Sequence, residues 1–133
     1  MLLRSGIGIA GLIALVLTAC SPGASASLTA GQPPAGLSAS SSGVCQAIVI
    51  LPDISAAERA FTNVAHDALH SLAADPRLDR SMSARVLETM QKVEADLEQS
   101  SDAAALGGDL AALRAASDAA LRAIGEDVPA CSK

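Results

Sequence analysis

Phe61 is the only aromatic side chain in a chain of 133 residues that contains no Trp or Tyr. Aromatic rings supply a disproportionate share of the area a core buries. Without them the interior must be assembled from Ala, Leu, Ile, Val and a few Met. Half of the sequence is apolar, and much of that half is alanine. Alanine is the strongest helix former, and the charged residues present, mainly Arg, Glu and Asp, suit helix surfaces. An all-α fold follows as the expectation.

Apolar periodicity divides the region after Val44 into three helical stripes. In the first, Ile54, Ala57, Phe61, Val64, Ala65, Ala68 and Leu72 recur at steps of three and four, as one face of an α-helix requires. Asp53 stands where an N-cap is needed, and Asp75-Pro76 ends the segment. In the second, Met82, Val86, Met90, Val93 and Leu97 repeat the pattern, with Asp79 or Ser81 as cap and Ser100-Ser101-Asp102 as the stop. The third carries Leu106, Leu110, Leu113, Ser117, Ala120, Ile124 and Val128. Gly107-Gly108 interrupts it, and each glycine costs about 1 kcal/mol in a helix interior. Asp109 is therefore the expected cap, with 103–106 a preceding turn.

Cys45 to Pro52 is open to two interpretations. Ile48-Val49-Ile50 has strand propensity, yet a lone strand has no evident partner. Val44, Ile48, Leu51 and Ile54 extend the helical stripe backwards, with a kink at Pro52. A short helix leading into the first long one is the preferred expectation. The expected architecture for residues 44–133 is a small antiparallel three-helix bundle, with that short extra helix at its N-terminal end.

Ahead of this region, Met1-Leu2-Leu3-Arg4 places one positive charge before the apolar run Ile7–Leu17. Eleven uncharged residues are too few for a permanent span, which needs roughly 20, but they suit a secretory h-region. Leu17-Thr18-Ala19-Cys20 follows. Together these features resemble the leader and lipobox of bacterial lipoprotein precursors, and all four lipobox positions fit. The resemblance covers about twenty residues and is silent about the domain beyond. It implies cleavage before Cys20, a diacylglyceryl group on that thiol, and anchoring on the extracytoplasmic side of a membrane. Two or more acyl chains hold stably where one binds only marginally. Ser21 lacks the acidic character that marks inner-membrane retention in enteric lipoproteins, so an outer membrane is the implied address in a host that has one.

Residues 20–43 then read as the lipidated cysteine and a tether. Ser21 to Gly43 carries no charge and no periodic apolar pattern, a composition that cannot bury enough surface to offset its ordering entropy. As a flexible coil it would span about 25 Å.

Three cysteines occur. With Cys20 lipidated, Cys45 and Cys131 remain, 86 positions apart at the two ends of the folded region. The export implied by the leader permits disulfides, and small domains commonly need such a staple. A structural Cys45–Cys131 disulfide is expected. A reactive or metal-binding thiol pair is the alternative, but no CxxC spacing or nearby His favours it.

The net charge is −5. Arg4 is the only ionisable side chain before Cys20, so its removal would leave −6. No run of Lys or Arg offers a basic patch, and nucleic-acid binding, which rests on neutralising phosphates, is set aside. His66 and His70, the only two histidines, stand four apart, a spacing that suits two ligands of Zn²⁺ or Cu²⁺. At about 100° per residue, His66 falls roughly 140° and His70 roughly 180° from Phe61. The pair is thus expected to face water beside Arg59 and Asn63, without a third ligand in register. Asp67 follows the first histidine, which departs from HExxH. Glu88, Glu94, Asp96 and Glu98 read as a solvated acidic surface with Lys92. No nucleophile–base motif, calcium loop or phosphate-cradling glycine loop is found.

The expectation for function is a membrane-anchored envelope protein without catalysis or cofactor, whose helical module contacts an envelope partner or a small ligand. The alternative is a carrier or sensor for a lipid, small ligand or metal.

Overall fold

The computed structural model describes residues 36–99 and 101–132, which are all-helical with no strand among them. The leader, Cys20 and most of the expected tether lie outside the described residues. The elements are α1 (Ala39–Ile50), α2 (Ile54–Ala60), a π-helical turn (Phe61–Ala65), α3 (His66–Ala73), α4 (Arg80–Glu98) and α5 (Ala103–Ala123). From Ile54 to Ala73 the chain runs on without a break, so the elements make four helical rods. α1 packs against α2, the π-helical turn, α3 and α5, while α4 packs on α3 and most extensively on α5.

Three aspartates start three of the helices by the same chemistry. The first amides of a helix lack intrahelical acceptors, and a short carboxylate just before them supplies one. Asp53 accepts from the Ala56 amide, Asp79 from Met82 and Asp102 from both Ala104 and Ala105, each at 2.9 Å. Hydrogen bonds from the Ser81 hydroxyl and the Met82 amide hold the Asp79 carboxyl below its ordinary range.

The core is aliphatic, as the composition requires. Val44 and Ala47 from α1, Leu69 and Leu72 from α3, Val86 and Val93 from α4, and Leu110 and Leu113 from α5 are all buried around Phe61. Leu69, absent from the stripe read in the sequence, is fully buried because the π-helical turn intervenes. Its i→i+5 hydrogen bonds widen one turn, as in the bond from the His66 amide to the Phe61 carbonyl. Ala57, Phe61, Ala65 and Leu69, spaced by fours, would drift around a regular helix. The wider turn brings them back onto one buried face.

Three expectations are corrected. The expected short helix is present up to Ile50, with Leu51 as its C-cap, but it starts at Ala39, so the folded region reaches back into the stretch assigned as tether up to Gly43. Ser40, Ser41 and Gly43 are buried. Ser40 donates to the Leu37 carbonyl at 2.6 Å, and Ser41 donates to Asp118 on α5. Small polar residues here fill a close helix contact. A Cβ built on Gly43 would stand 2.7 Å from the Ala65 backbone nitrogen and 2.9 Å from the Ala65 Cβ. α1 therefore approaches the π-helical turn more closely than any side chain at position 43 permits.

The start of the last helix is also earlier than expected. α5 begins after Asp102, not Asp109, and Gly107 and Gly108 lie inside it. The doubly accepting cap and the burial of Leu106 outweigh two glycine penalties. Gly108 is exposed, with nothing within 4 Å of a Cβ built there. Gly108→Ala should therefore stabilise the fold by about 1 kcal/mol, read as a higher urea midpoint at unchanged slope. A lower midpoint would mean that α5 does not continue through the glycines.

Finally, Val128 lies beyond the helix. Gly125 adopts φ +77°, its amide bonds the Arg122 carbonyl, and the Glu126 amide bonds the Leu121 carbonyl, which is a Schellman C-cap. The tail then continues irregularly to Cys131, with Val128 half-buried against the core. Arg114 donates to the Pro129 carbonyl at 3.2 Å. Arg77, in the turn before α4, donates to the Ile124 carbonyl at 3.2 Å, pairs with Asp75 at 2.8 Å and reaches Glu126 at 3.2 Å. Hydrogen bonding to Arg77 holds the Asp75 carboxyl below its ordinary range, and the same contact raises the guanidinium. Cys131 is thereby brought to Cys45, with Cα atoms 5.6 Å apart in the disulfide, a normal separation. No helix among the described residues is long and apolar enough to cross a membrane.

Candidate functional site

The two histidines open α3 directly after the π-helical turn, one helical turn apart. Their rings meet edge to face with centroids 4.8 Å apart. His70 is exposed, as expected. His66 is not free in water: its side chain is only 34% exposed and lies edge-on to Phe61, with ring centroids 6.0 Å apart. The sequence phase placed it on the outer face because that estimate assumed a regular helix between Phe61 and His66. The wide turn between them rotates His66 toward α4.

There it meets the group that the sequence could not supply. His66 Nε2 lies 3.1 Å from Glu94 Oε1 on α4, and Nδ1 lies 3.3 Å from Asp67 Oδ1. Glu94 is likewise 34% exposed. One candidate ligand atom from each of His66, His70 and Glu94 lies within 4.8 Å of the other two. A third donor is thus in place, contrary to the expectation of a two-histidine pair alone. An open depression of about 350 Å³ adjoins the cluster, floored by Phe61 and Leu97 and edged by Glu58, Thr62, His66, Glu94 and Glu98.

The acidic residues grouped in the sequence separate in space by role. Glu88 pairs with Lys92 at 3.1 Å one turn on, the usual exposed helix pair. Asp96 accepts from the Ser101 hydroxyl at 2.9 Å, closing the α4–α5 turn. Only Glu94 and Glu98 reach the depression. Several serine hydroxyls are used within helices: Ser71 donates to the Asp67 carbonyl and Ser117 to the Leu113 carbonyl, each at 2.9 Å.

A second polar cluster was missed at the α1–α5 contact. Asp118 accepts from Ser41 and lies 3.5 Å from Arg114 Nε, and Arg114 in turn holds the Pro129 carbonyl. It joins the first helix, the last helix and the tail, so its role is structural. Its sequence signal was the i,i+4 pair Arg114–Asp118 on the helix that also carries the buried Ser117.

Compared with known proteins, the chain matches no family model, no curated sequence and no solved structure.

Proposed function

We propose that this protein is a bacterial envelope lipoprotein. It would be anchored on the extracytoplasmic side of a membrane by lipid on Cys20, and its helical domain would act by binding or structural contact. The observation that carries the proposal is the ordered series of charged Arg4, apolar Ile7–Leu17 and Leu17-Thr18-Ala19-Cys20. The disulfide supports it, because such bonds persist in oxidising compartments and are rare in the cytosol. With Cys45 and Cys131 joined, Cys20 is the one cysteine left for a lipid.

In this proposal the folded module is an antiparallel bundle of three long rods, Ile54–Ala73, α4 and α5, with α1 as an integral fourth. The short connections at 51–53 and 99–102 favour antiparallel succession. The partner is an envelope protein or a small ligand presented near the membrane surface.

Cys20→Ser tests the anchor without touching the folded domain. In the native host, the wild-type protein is expected in the membrane fraction and in the detergent phase after phase partitioning. The variant should move to the aqueous phase by at least tenfold, since loss of the acyl chains removes most membrane affinity. A variant that stays in the membrane fraction to the same extent would contradict lipid anchoring at this residue.

A further inference from the structure

We propose that His66, His70 and Glu94 form a three-ligand site for a borderline divalent ion of the Zn²⁺ type. The proposal is independent of the membrane anchor and rests on the α3–α4 contact alone.

Three observations carry it. First, the donor set is two imidazoles and one carboxylate, a combination that Zn²⁺ accepts. Ligand bonds of about 2.0–2.2 Å place two donors of one tetrahedral ion a little over 3 Å apart. The 3.1 Å between His66 Nε2 and Glu94 Oε1 fits that spacing. All three donors lie within 4.8 Å of one another, and the exposed His70 ring closes the remainder by rotating about its side-chain bonds. Secondly, the donors come from two helices. His66 and His70 project from one face of α3, while Glu94 stands across from them on α4, so the ion would be chelated and not merely touched. Thirdly, a carboxylate stands beside the other ring nitrogen of His66. Metal-bound histidines characteristically donate their other ring N–H to a carboxylate or carbonyl. His66 Nδ1 already faces Asp67 Oδ1 at 3.3 Å, leaving Nε2 for the ion.

Three protein ligands leave a fourth tetrahedral position, which water or an exogenous ligand fills. The depression edged by Glu58, Thr62 and Glu98 shares His66 and Glu94 with the cluster and would give such a ligand access. The nitrogen donors discriminate against Mg²⁺ and Ca²⁺, which take oxygen ligands.

The test uses the tag-free full chain in detergent with the disulfide intact and Cys20→Ser, which removes the one remaining thiol. Titration with ZnCl₂ in a calorimeter is expected to show one ion per chain with micromolar or tighter affinity, and no comparable binding of MgCl₂ or CaCl₂. His66→Ala, His70→Ala and Glu94→Gln should each weaken Zn²⁺ binding at least tenfold. Glu88→Gln, in the pair with Lys92 on the same helix, should leave it unchanged. Helical circular dichroism checks that each variant folds. Co²⁺ gives a second readout: visible d–d bands of a four-coordinate ion should appear in the parent and vanish in the three ligand variants. Absence of Zn²⁺ binding by the parent, or binding that survives all three substitutions, would overturn the assignment.

Discussion

Replacing Cys45 and Cys131 together with serine is expected to cost about 4–5 kcal/mol of stability, the chain-entropy value for a closed loop of this length. The disulfide joins residues 86 positions apart and therefore encloses nearly the whole folded region. Its two ends differ in environment. Cys45 is buried on α1, at 7% exposure, whereas Cys131 is exposed in the irregular tail. Without the bond, what holds the tail is Val128 against the core and the Arg114 and Arg77 contacts to the Pro129 and Ile124 carbonyls. The two hydrogen bonds are partly buried, and such bonds contribute about 1 kcal/mol each. For a domain of this size the loss corresponds to a fall in melting temperature of roughly 15–30 °C. Reduction of the wild-type protein should reproduce the effect. A melting temperature unchanged in the double variant and on reduction would show that the aliphatic core suffices alone.

The second large effect is expected from a single methyl group. Gly43→Ala should destabilise the protein by about 2 kcal/mol, within the range for forcing extra atoms into a packed contact. Alanine is the better helix former by about 1 kcal/mol, so propensity alone predicts the opposite sign. Contact decides the outcome, because the atoms in the way belong to the backbone nitrogen, Cα and Cβ of Ala65. Backbone cannot rotate aside as the end of a long side chain can. Gly108→Ala, in open space on α5, is the matched control with the opposite expected sign. Urea unfolding of the two variants side by side separates packing from propensity. Stabilisation by Gly43→Ala would mean that α1 does not press against the π-helical turn.

Much of the helical content was legible because it rests on local rules. Asp53 and Asp79 announce helix starts by their position before apolar periodic runs, and Pro76 limits α3 from beyond. The disulfide was legible from the cysteine count and from the export that the leader resemblance implies. The errors share a cause, which is that composition reports tendency while tertiary contact decides. Ser40, Ser41 and Gly43 look like linker because small polar residues rarely bury enough area to order a chain. Their partner surface, Asp118 and Ala65, lies far away in sequence. Gly107 and Gly108 look like a helix break because their penalty is local, whereas the compensating burial of Leu106 is not. The third candidate ligand was hidden for a subtler reason. A π-helical turn leaves no plain mark in sequence, yet it changes the direction of every residue after Phe61. His66 therefore turns from the expected outer face toward Glu94, a residue whose acidic neighbours made it look like ordinary solvated surface.

The proposed placement of the protein rests on Cys20, which can be weighed directly. Intact-mass and N-terminal peptide mass spectrometry of the protein purified from its native membrane should find residues 1–19 missing and Cys20 as the first residue. That cysteine should carry a diacylglyceryl adduct, with or without a third acyl chain, and Cys45 and Cys131 should remain joined. A protein that retains Met1, or one cut elsewhere with an unmodified Cys20 thiol, would contradict lipid anchoring and the envelope function built on it.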